Sequence, residues 1–307
     1  MTTEQEDKAA RRVLALGFAA AAAGFLFLPV GDAIGKYLGE SGMPAIQVGW
    51  GRWLFQMIFL FPVVMVLYRK QFWPIPRFWL QLARAGAMIG ATVTFFWGIA
   101  RIPLADATAV LFIGPLLVVV LSALILKEKV GPRRWIAVGI GFVGMLIIVR
   151  PGAAGFDPNM LIIVGTAFCF GIFLVLSRML AGLAPTLLVM VWMGVLGVAV
   201  TTVGSIPVWI EPTANQWFAM LLLGAAMAFG HFLVLWASAR LEASAMAVMP
   251  YLEIVSSTTI GFFYFDHFPD LMTWMGCSLI VAAGVFVVIR EQRLNKQPVA
   301  PVDTALP

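Results

Sequence analysis

Long apolar blocks separated by short polar connections occupy nearly the whole chain. An α-helix needs about 20 apolar residues to cross a hydrocarbon core of about 30 Å, because each residue adds about 1.5 Å. We predict spanning helices over residues 13–34, 45–67, 79–100, 104–126, 134–150, 160–179, 185–206, 217–238, 244–265 and 271–289. The pattern therefore predicts an all-α integral membrane protein with ten transmembrane helices, whose connections are too short to hold a soluble domain.

The composition supports this prediction. Hydrophobic residues make up 62% of the chain and charged residues 11%, and the mean hydropathy is +0.97. Soluble domains are roughly 45–50% apolar and about 25% charged. Cys169 and Cys277 lie inside apolar blocks without metal-ligand spacing, so we interpret them as buried thiols. We find no phosphate-binding glycine loop and no nucleophile paired with a base. The sequence therefore argues against an enzyme and implies neither a cofactor nor a metal.

The positive charges predict how the chain is oriented. With the N-terminus in the cytoplasm, fifteen Lys and Arg residues fall on the cytoplasmic side and three, Lys36, Arg101 and Arg150, on the other. Arg84 lies near an inner helix end and Arg52 within the second helix. This asymmetry follows the positive-inside rule, so we predict a multi-pass protein of the bacterial inner membrane with both termini cytoplasmic. The rule also explains the net charge of +5 without a nucleic-acid partner.

Two acidic residues followed by an arginine mark each half of the chain. The spacings are 22 residues in the first half and 24 in the second, at Asp106, Glu128 and Arg150 and then at Glu242, Asp266 and Arg290. Such a series predicts a duplicated unit of five helices, over 13–150 and 160–290, between cytoplasmic tails at 1–12 and 291–307. Because five is odd, the two copies must be inverted relative to each other, as in many secondary transporters.

Several short segments, in this order along the chain, resemble a known family. They are Gly31-Asp32-Ala33-Ile34-Gly35-Lys36, Gln47 with Arg52-Trp53, Pro103-Leu104-Ala105-Asp106-Ala107 with Pro115 and Glu128, Met249-Pro250-Tyr251-Leu252-Glu253, Asp266-His267-Phe268-Pro269-Asp270, and Gly284 with Arg290-Glu291. Together they resemble the drug/metabolite transporter superfamily, in the form built from two EamA repeats. The resemblance implies a ten-helix carrier with a central cavity that moves small polar metabolites, often amino acids.

This chain also departs from the family pattern. Asp266 stands where Glu is common, and Leu174 aligns with Asp32, which removes an acid from the second copy. The resemblance therefore implies an asymmetric site.

Glu253 is the leading candidate for substrate binding or ion coupling. It lies about nine residues into its predicted helix, hence about 13 Å from the inner end. Ser256 and Ser257 share its helix face, and Ser257 is included in the predicted site. A charge at the centre of a spanning helix costs about 2.5–3.5 kcal/mol on insertion scales, so intramembrane acids are usually functional. We predict that Glu253 binds a substrate ammonium or a proton; a structural carboxylate paired with one neighbour is the alternative.

Arg52 lies about 10 Å below the outer surface and needs an acidic partner or an anionic substrate group, because a guanidinium stays charged. Asp32 is one candidate partner, which would make the pair structural. A bond between Asp32 and Lys36 would instead leave Arg52 free for substrate. Lys36 could also extend its ammonium to the outer surface. Gln47, in the same segment as Arg52, is included in the predicted site.

His231 and several aromatic residues complete the predicted site. His231 titrates near neutral pH and could relay protons to Glu253, although a lone histidine is more often a structural member of a bundle. Trp53, Trp97 and Tyr251 lie deep enough to hold a cationic substrate by stacking, with ordinary packing as the alternative for each.

Pro115 and Pro250 interrupt their predicted helices at corresponding depths in the two halves. Each ring removes a backbone hydrogen bond, and paired interruptions of this kind point to the binding site of a transporter. We predict that both positions take part in gating.

The function that we predict is secondary active transport of a small polar metabolite, most plausibly an amino acid or a related compound. The transport would proceed by alternating access, with proton-coupled or exchange-coupled export. The alternative is an uptake carrier for S-adenosylmethionine or quaternary-amine metabolites, to which the segments around Asp32 and Arg52 also show a resemblance. A channel or an assembly protein fits less well, because the polar residues are isolated. The partners expected are the substrate, the lipid bilayer and a second copy of the chain in a homodimer.

Overall fold

The structure is a computed structural model that describes residues 3–125, 127, 130–152, 156–241, 246 and 248–294, with side chains from residue 12 to residue 289 of these ranges. The described part of the chain is all-helical. Its α-helices are α1 (Thr3–Glu40), α2 (Ala45–Tyr68), α3 (Phe78–Ile99), α4 (Leu104–Leu111), α5 (Gly114–Ile125), α6 (Pro132–Val149), α7 (Met160–Met179), α8 (Thr186–Ser205), α9 (Ala214–Ser238), α10 (Leu252–Phe265) and α11 (Leu271–Leu294). The predicted fold class, an all-α integral membrane protein, is confirmed.

Nine segments among the described residues are long and apolar enough to cross a membrane. They correspond to the predicted spans except 244–265, which is described as a 3-10 turn, Met249–Tyr251, followed by α10. Residues 242–245 and 247, which include the predicted repeat marker Glu242, lie outside the described residues, as does Glu128. The side chain of Arg290, another predicted repeat marker, is also outside the description.

The first helix is longer than its apolar block. It continues to Glu40, so that Lys36, which lies beyond the predicted span 13–34, is also part of α1. Two glycines allow this extension to pack closely on α3: a Cβ on Gly35 would overlap the ring of Phe96, and one on Gly39 would lie 2.6 Å from the Cβ of Ala100.

The predicted span 104–126 is broken into α4 and α5. Pro115 lacks an N–H group and its ring crowds the carbonyl of Leu111, so the chain turns at residues 112 and 113 before α5 begins at Gly114. The predicted interruption at Pro115 is therefore present. Pro250 lies in the 3-10 turn that leads directly into α10.

The helices of the two halves pack mainly against each other. α1 packs on α9 and α10, while α7 packs on α3, α4 and α5; α2 faces α8, and α6 faces α11. Exchanging the two predicted repeats converts the contacts of α1 into those of α7, and it converts the contact of α2 with α8 and that of α6 with α11 each into itself. A duplicated unit would produce this pattern, and the duplication itself stays a prediction.

Candidate substrate cavity

A cavity of about 390 Å³ lies between the two halves. Its lining comes from α1, α2, α3, α4, α5, α7, α9, α10 and α11, together with the turns at Phe112 and at Pro250 and Tyr251. The volume is within the range of about 300–1,000 Å³ that is typical of sites for drug-sized ligands. The broken span and the 3-10 turn border the cavity from opposite halves of the chain.

Four ionisable residues from four different helices line this cavity. They are Asp32 of α1, Arg52 of α2, His231 of α9 and Glu253 of α10. The structure thus brings together the charged residues that the sequence analysis selected by their depth in the membrane. Tyr251 and the two prolines of the predicted gates also belong to the lining.

Arg52 is held by a hydroxyl group on the neighbouring helix. Its Nη1 donates to Oγ1 of Thr92 at 2.6 Å, and Thr92 donates to the carbonyl of Met88 at 2.8 Å. The guanidinium carbon lies 4.8 Å from the centre of the Trp53 ring. Among the described residues, no carboxylate lies within ion-pair distance of Arg52, so the suggested pair with Asp32 is not formed.

Lys36 occupies a different place from the one expected. Its ammonium donates to the carbonyls of Ile99 and Ile102, at 2.6 and 3.0 Å, and lies 2.9 Å from Glu40. The residue is 2% exposed, so it neither reaches the outer surface nor bonds to Asp32. The reason is that α1 continues past Lys36 and directs it towards the carbonyl end of α3, which carries a partial negative charge.

The structure places the other predicted site residues outside the lining of this cavity. Gln47 exchanges two hydrogen bonds with the backbone of Ile210, at 2.6 and 3.0 Å, and thereby fixes the loop between α8 and α9. Ser257 is fully buried and donates to its own helix, to the carbonyl of Ile254. These two side chains have structural contacts where we predicted substrate contacts.

The two predicted tryptophans also pack elsewhere. Trp53 is 2% exposed, and a Cβ on Gly197 of α8 would lie 2.7 Å from its ring. Trp97 stacks under the guanidinium of Arg101 at 3.9 Å. Both contacts belong to packing around the cavity rather than to its wall.

His231 has a defined hydrogen bond. Its Nδ1 lies 2.6 Å from the carbonyl of Met227, so Nδ1 carries the proton and Nε2 is the acceptor of the neutral ring. No hydrogen bond joins His231 to Glu253 within the described part of the chain, and the proton relay stays a prediction. Ser256, next to Ser257, donates to the carbonyl of Leu26 at 2.6 Å and joins α10 to α1.

Sequence comparison relates this chain to known transporters. Residues 12–150 match the EamA-like transporter family. The S-adenosylmethionine uptake transporter of Rickettsia bellii is 28% identical over 262 residues, which are 85% of this chain and 89% of that protein. An EamA-like transporter domain therefore covers residues 12–150 of this chain.

Two other relatives and a solved structure extend the comparison of this EamA-type chain. The riboflavin transporter of Vibrio cholerae is 24% identical over 278 residues, 90% of this chain and 93% of that protein. The pseudopaline exporter CntI of Pseudomonas aeruginosa is 29% identical over 203 residues, 63% and 69% of the two chains. A crystal structure with 18% identity superposes with a TM-score of 0.61 over 93% of this chain and 99% of that one, which shows the fold alone. The protein is a multi-pass membrane transporter of a small metabolite, and not an enzyme.

Some residues of the EamA-type cavity were missed by sequence reasoning. Thr92, Thr108 and Thr166 add hydroxyl groups to the lining, and Phe112 places its ring 5.1 Å from that of Tyr251. The threonines were detectable as isolated polar residues inside apolar spans. No signal distinguished Phe112 from lipid-facing phenylalanines, except that it directly precedes the break at Pro115.

An ion pair next to the first residue of α11 joins the two halves of the transporter. Arg150 Nη2 donates to both carboxylate oxygens of Asp270, at 2.5 and 2.6 Å, and Oδ1 also accepts from the backbone N–H of Thr273. The bond from Arg150, followed by that from Thr273, lowers the pKa of Asp270 to about 2. Asp266, one of the predicted repeat markers, follows the last residue of α10 with a left-handed backbone (φ 51°). No group of three metal-ligating side chains occurs in the described part of the chain.

Proposed function

We propose that this transporter takes up S-adenosylmethionine or another amino acid that carries a second cationic group. The support comes from the uptake carrier of Rickettsia bellii, which is related over most of both chains, and from the charges around the cavity. We further propose that the protein lies in the bacterial inner membrane with both termini in the cytoplasm and works by alternating access.

The charge balance of the cavity carries the proposal. Two carboxyl groups, Asp32 and Glu253, face one guanidinium, Arg52. S-adenosylmethionine has the complementary set: a carboxylate for Arg52, and an ammonium and a sulfonium for the two acids. An amino acid with one cationic group would leave one acid unmatched, and burying an unmatched charge is costly. Riboflavin is uncharged and would match none of the three.

Aromatic side chains support the same class of substrate. Four aromatic rings lie on the wall of the cavity in two pairs. The ring centres of Phe112 and Tyr251 are 5.1 Å apart, and those of Phe95 and Phe96 are 6.2 Å apart. Aromatic faces attract cations such as sulfonium groups and stack on flat ring systems. The cavity therefore offers surfaces for both the sulfonium and the adenine of the proposed substrate.

Transport requires the cavity to open alternately to the two sides of the membrane. We propose that the broken span at Pro115 and the turn at Pro250, one from each half, are the places where the helices bend. A proton on Glu253 or the exchange of one substrate for another would drive the cycle. The same cycle runs in either direction according to the gradients.

Export of an amino-acid compound is the second candidate. It is favoured by the relation to the pseudopaline exporter CntI, which covers 63% of this chain. Export and uptake place the same demands on the cavity, so direction must be measured with the protein inserted in a known orientation.

Uptake of radiolabelled S-adenosylmethionine into proteoliposomes tests the proposal. We expect saturable uptake and counterflow, inhibited by other sulfonium amino acids and not by riboflavin. Glu253→Gln should weaken the competition by doubly cationic amino acids, because it removes one of two counter-charges. Glu211→Gln, which changes an exposed acid bonded to Trp209, is the matched control. Equal transport of methionine and S-adenosylmethionine, or an unchanged preference in Glu253→Gln, would contradict the proposal.

A further inference from the structure

A second buried arginine lies on α3, away from the residues of the cavity described above. Arg84 is 4% exposed, and its Nε and Nη2 atoms are buried without a hydrogen-bond partner. No carboxylate of the described chain forms an ion pair with it. Arg52 also has a buried Nε without a partner, but its Nη1 donates to the hydroxyl of Thr92. Two of the three guanidinium nitrogens of Arg84 are thus buried without a partner, which is costly to maintain. This cost indicates that Arg84 has a ligand during part of the functional cycle.

The position of Arg84 on its helix connects it with the cavity. Met88, Ala91 and Phe95 of α3 line the cavity. Residues separated by three, four or seven positions share one face of a helix, and Arg84 precedes Met88 by four positions and Ala91 by seven. It therefore continues the face of the cavity wall by one turn, towards the Phe78 end of α3.

Gln81 and Gln56 add further unpartnered polar groups between the cavity and the Phe78 end of α3. Gln81 lies one turn beyond Arg84 on α3, is 5% exposed, and has both amide atoms buried without a partner. Gln56 lies one turn beyond Arg52 on α2, is 3% exposed, and has an unpartnered Oε1. The bond from Arg52 to Thr92 fixes the antiparallel register of α2 and α3. In that register, Gln56 is at a depth between Arg52 and Arg84.

We propose that Arg84 and Gln81 form a second anion-binding station, which receives the carboxylate of the transported molecule between the cavity and the Phe78 end of α3. The proposal rests on the proposed function only for the identity of that molecule. Thr92, the partner of Arg52, and Arg84 are eight positions apart on α3, about 12 Å along the helix axis. A carboxylate that leaves Arg52 can therefore reach a second guanidinium, so that its negative charge does not stay without a positive partner inside the membrane.

The anion comes from the interior rather than from the lipid. A phosphate headgroup can contact only atoms at the protein surface, and the unpartnered atoms of Arg84 and Gln81 are buried. A carboxylate or a phosphate group that moves through the protein meets these donors directly. Arg84 binds such groups more strongly than a lysine would, because its planar fork matches two oxygens.

Binding of acetate to the purified protein tests the station without any assumption about the substrate. Arg52→Gln removes the anion site of the cavity, and we expect acetate still to raise the melting temperature of this variant saturably, at ionic strength held constant with chloride. The additional change Arg84→Gln should abolish that rise. Arg77→Gln in the same background is the matched control, because Arg77 is exposed at the start of the same helix. A rise that persists without Arg84, or no rise in Arg52→Gln, would overturn the proposal.

Transport kinetics test the role of the station in the cycle. Arg84→Gln should lower kcat for S-adenosylmethionine about tenfold, as expected for loss of a charged hydrogen bond, with little change in KM. Uptake of decarboxylated S-adenosylmethionine should be unaffected. An equal loss for both compounds would overturn the proposal. Gln81→Leu, tested in the same way, replaces Arg84→Gln if that variant does not fold. If the wild type transports neither compound, the proposed function is wrong. The acetate titration then still tests whether Arg84 binds an anion.

Discussion

The guanidinium of Arg52 depends on a single hydroxyl on the neighbouring helix. The hydroxyl oxygen of Thr92 accepts from Nη1 at 2.6 Å, and its O–H donates to the carbonyl of Met88 at 2.8 Å. A hydroxyl orients the guanidinium without cancelling its charge. Arg52 therefore remains a cation at the cavity, and its guanidinium is already oriented before an anionic group of a substrate binds.

Replacement of this hydroxyl is expected to cost stability. Thr92→Val keeps the shape of the side chain but leaves Nη1 of Arg52 buried without its acceptor, a change worth about 1–3 kcal/mol. We expect a lower melting temperature in detergent for Thr92→Val and a nearly unchanged one for Thr92→Ser. Thr259→Val is the matched control, since exposed Thr259 bonds only to its own helix. Equal effects of Thr92→Val and Thr92→Ser would assign the loss to packing.

The charged part of the cavity was predictable from sequence, and the rest was not. Asp32, Arg52 and Glu253 lie inside apolar blocks, where an ionised group must face the protein interior to avoid lipid. Gln47 also lies inside a predicted span and Lys36 lies just beyond one, but each bonds to a backbone carbonyl far away in the chain, 163 and 63 positions respectively. No local pattern shows such contacts, which depend on how the helices pack.

Some helix boundaries were likewise predictable from the sequence, and others were not. Pro115 marked the break between α4 and α5 because the effect of proline is local. The extension of α1 to Glu40 was not marked, because a helix outside the apolar core continues through polar residues whenever packing stabilises it. Gly35 and Gly39 provide that packing against α3, and an isolated glycine does not reveal its neighbour.

Contact between α6 and α11 depends on two glycines. A Cβ on Gly144 would lie 2.6 Å from the carbonyl oxygen of Gly276, so Gly144→Ala should force the helices apart and lower the melting temperature. Gly139→Ala on the same helix is the control, because nothing lies within 4 Å of a Cβ there; it should be neutral or stabilising by up to about 1 kcal/mol. Thermal unfolding of both variants in one detergent checks this. Similar losses would mean that the interface adjusts freely.

Over the whole molecule, helices from the two predicted repeats form most of the neighbouring pairs. α1 with α9, α2 with α8, α3 with α7 and α6 with α11 each combine one helix from each half. Movement of one half relative to the other, as alternating access requires, must therefore change contacts at several interfaces together. The predicted homodimer is a separate question and stays a prediction.

The ion pair at the end of the α6–α11 interface should make stability depend on pH. In the folded protein the pKa of Asp270 falls from 3.8 to about 2, so the ionised carboxylate stabilises the fold above about pH 4, and this contribution is lost as the pH falls towards 2. The pair is partly exposed, which limits it to about 1 kcal/mol. Wild type should therefore melt slightly above Asp270→Asn at pH 5, and the two curves should converge by about pH 2. Glu211→Gln, which removes an acid bonded to Trp209 instead of an arginine, is the control. Parallel curves for wild type and Asp270→Asn over the whole range would mean that the pair does not hold the two halves together.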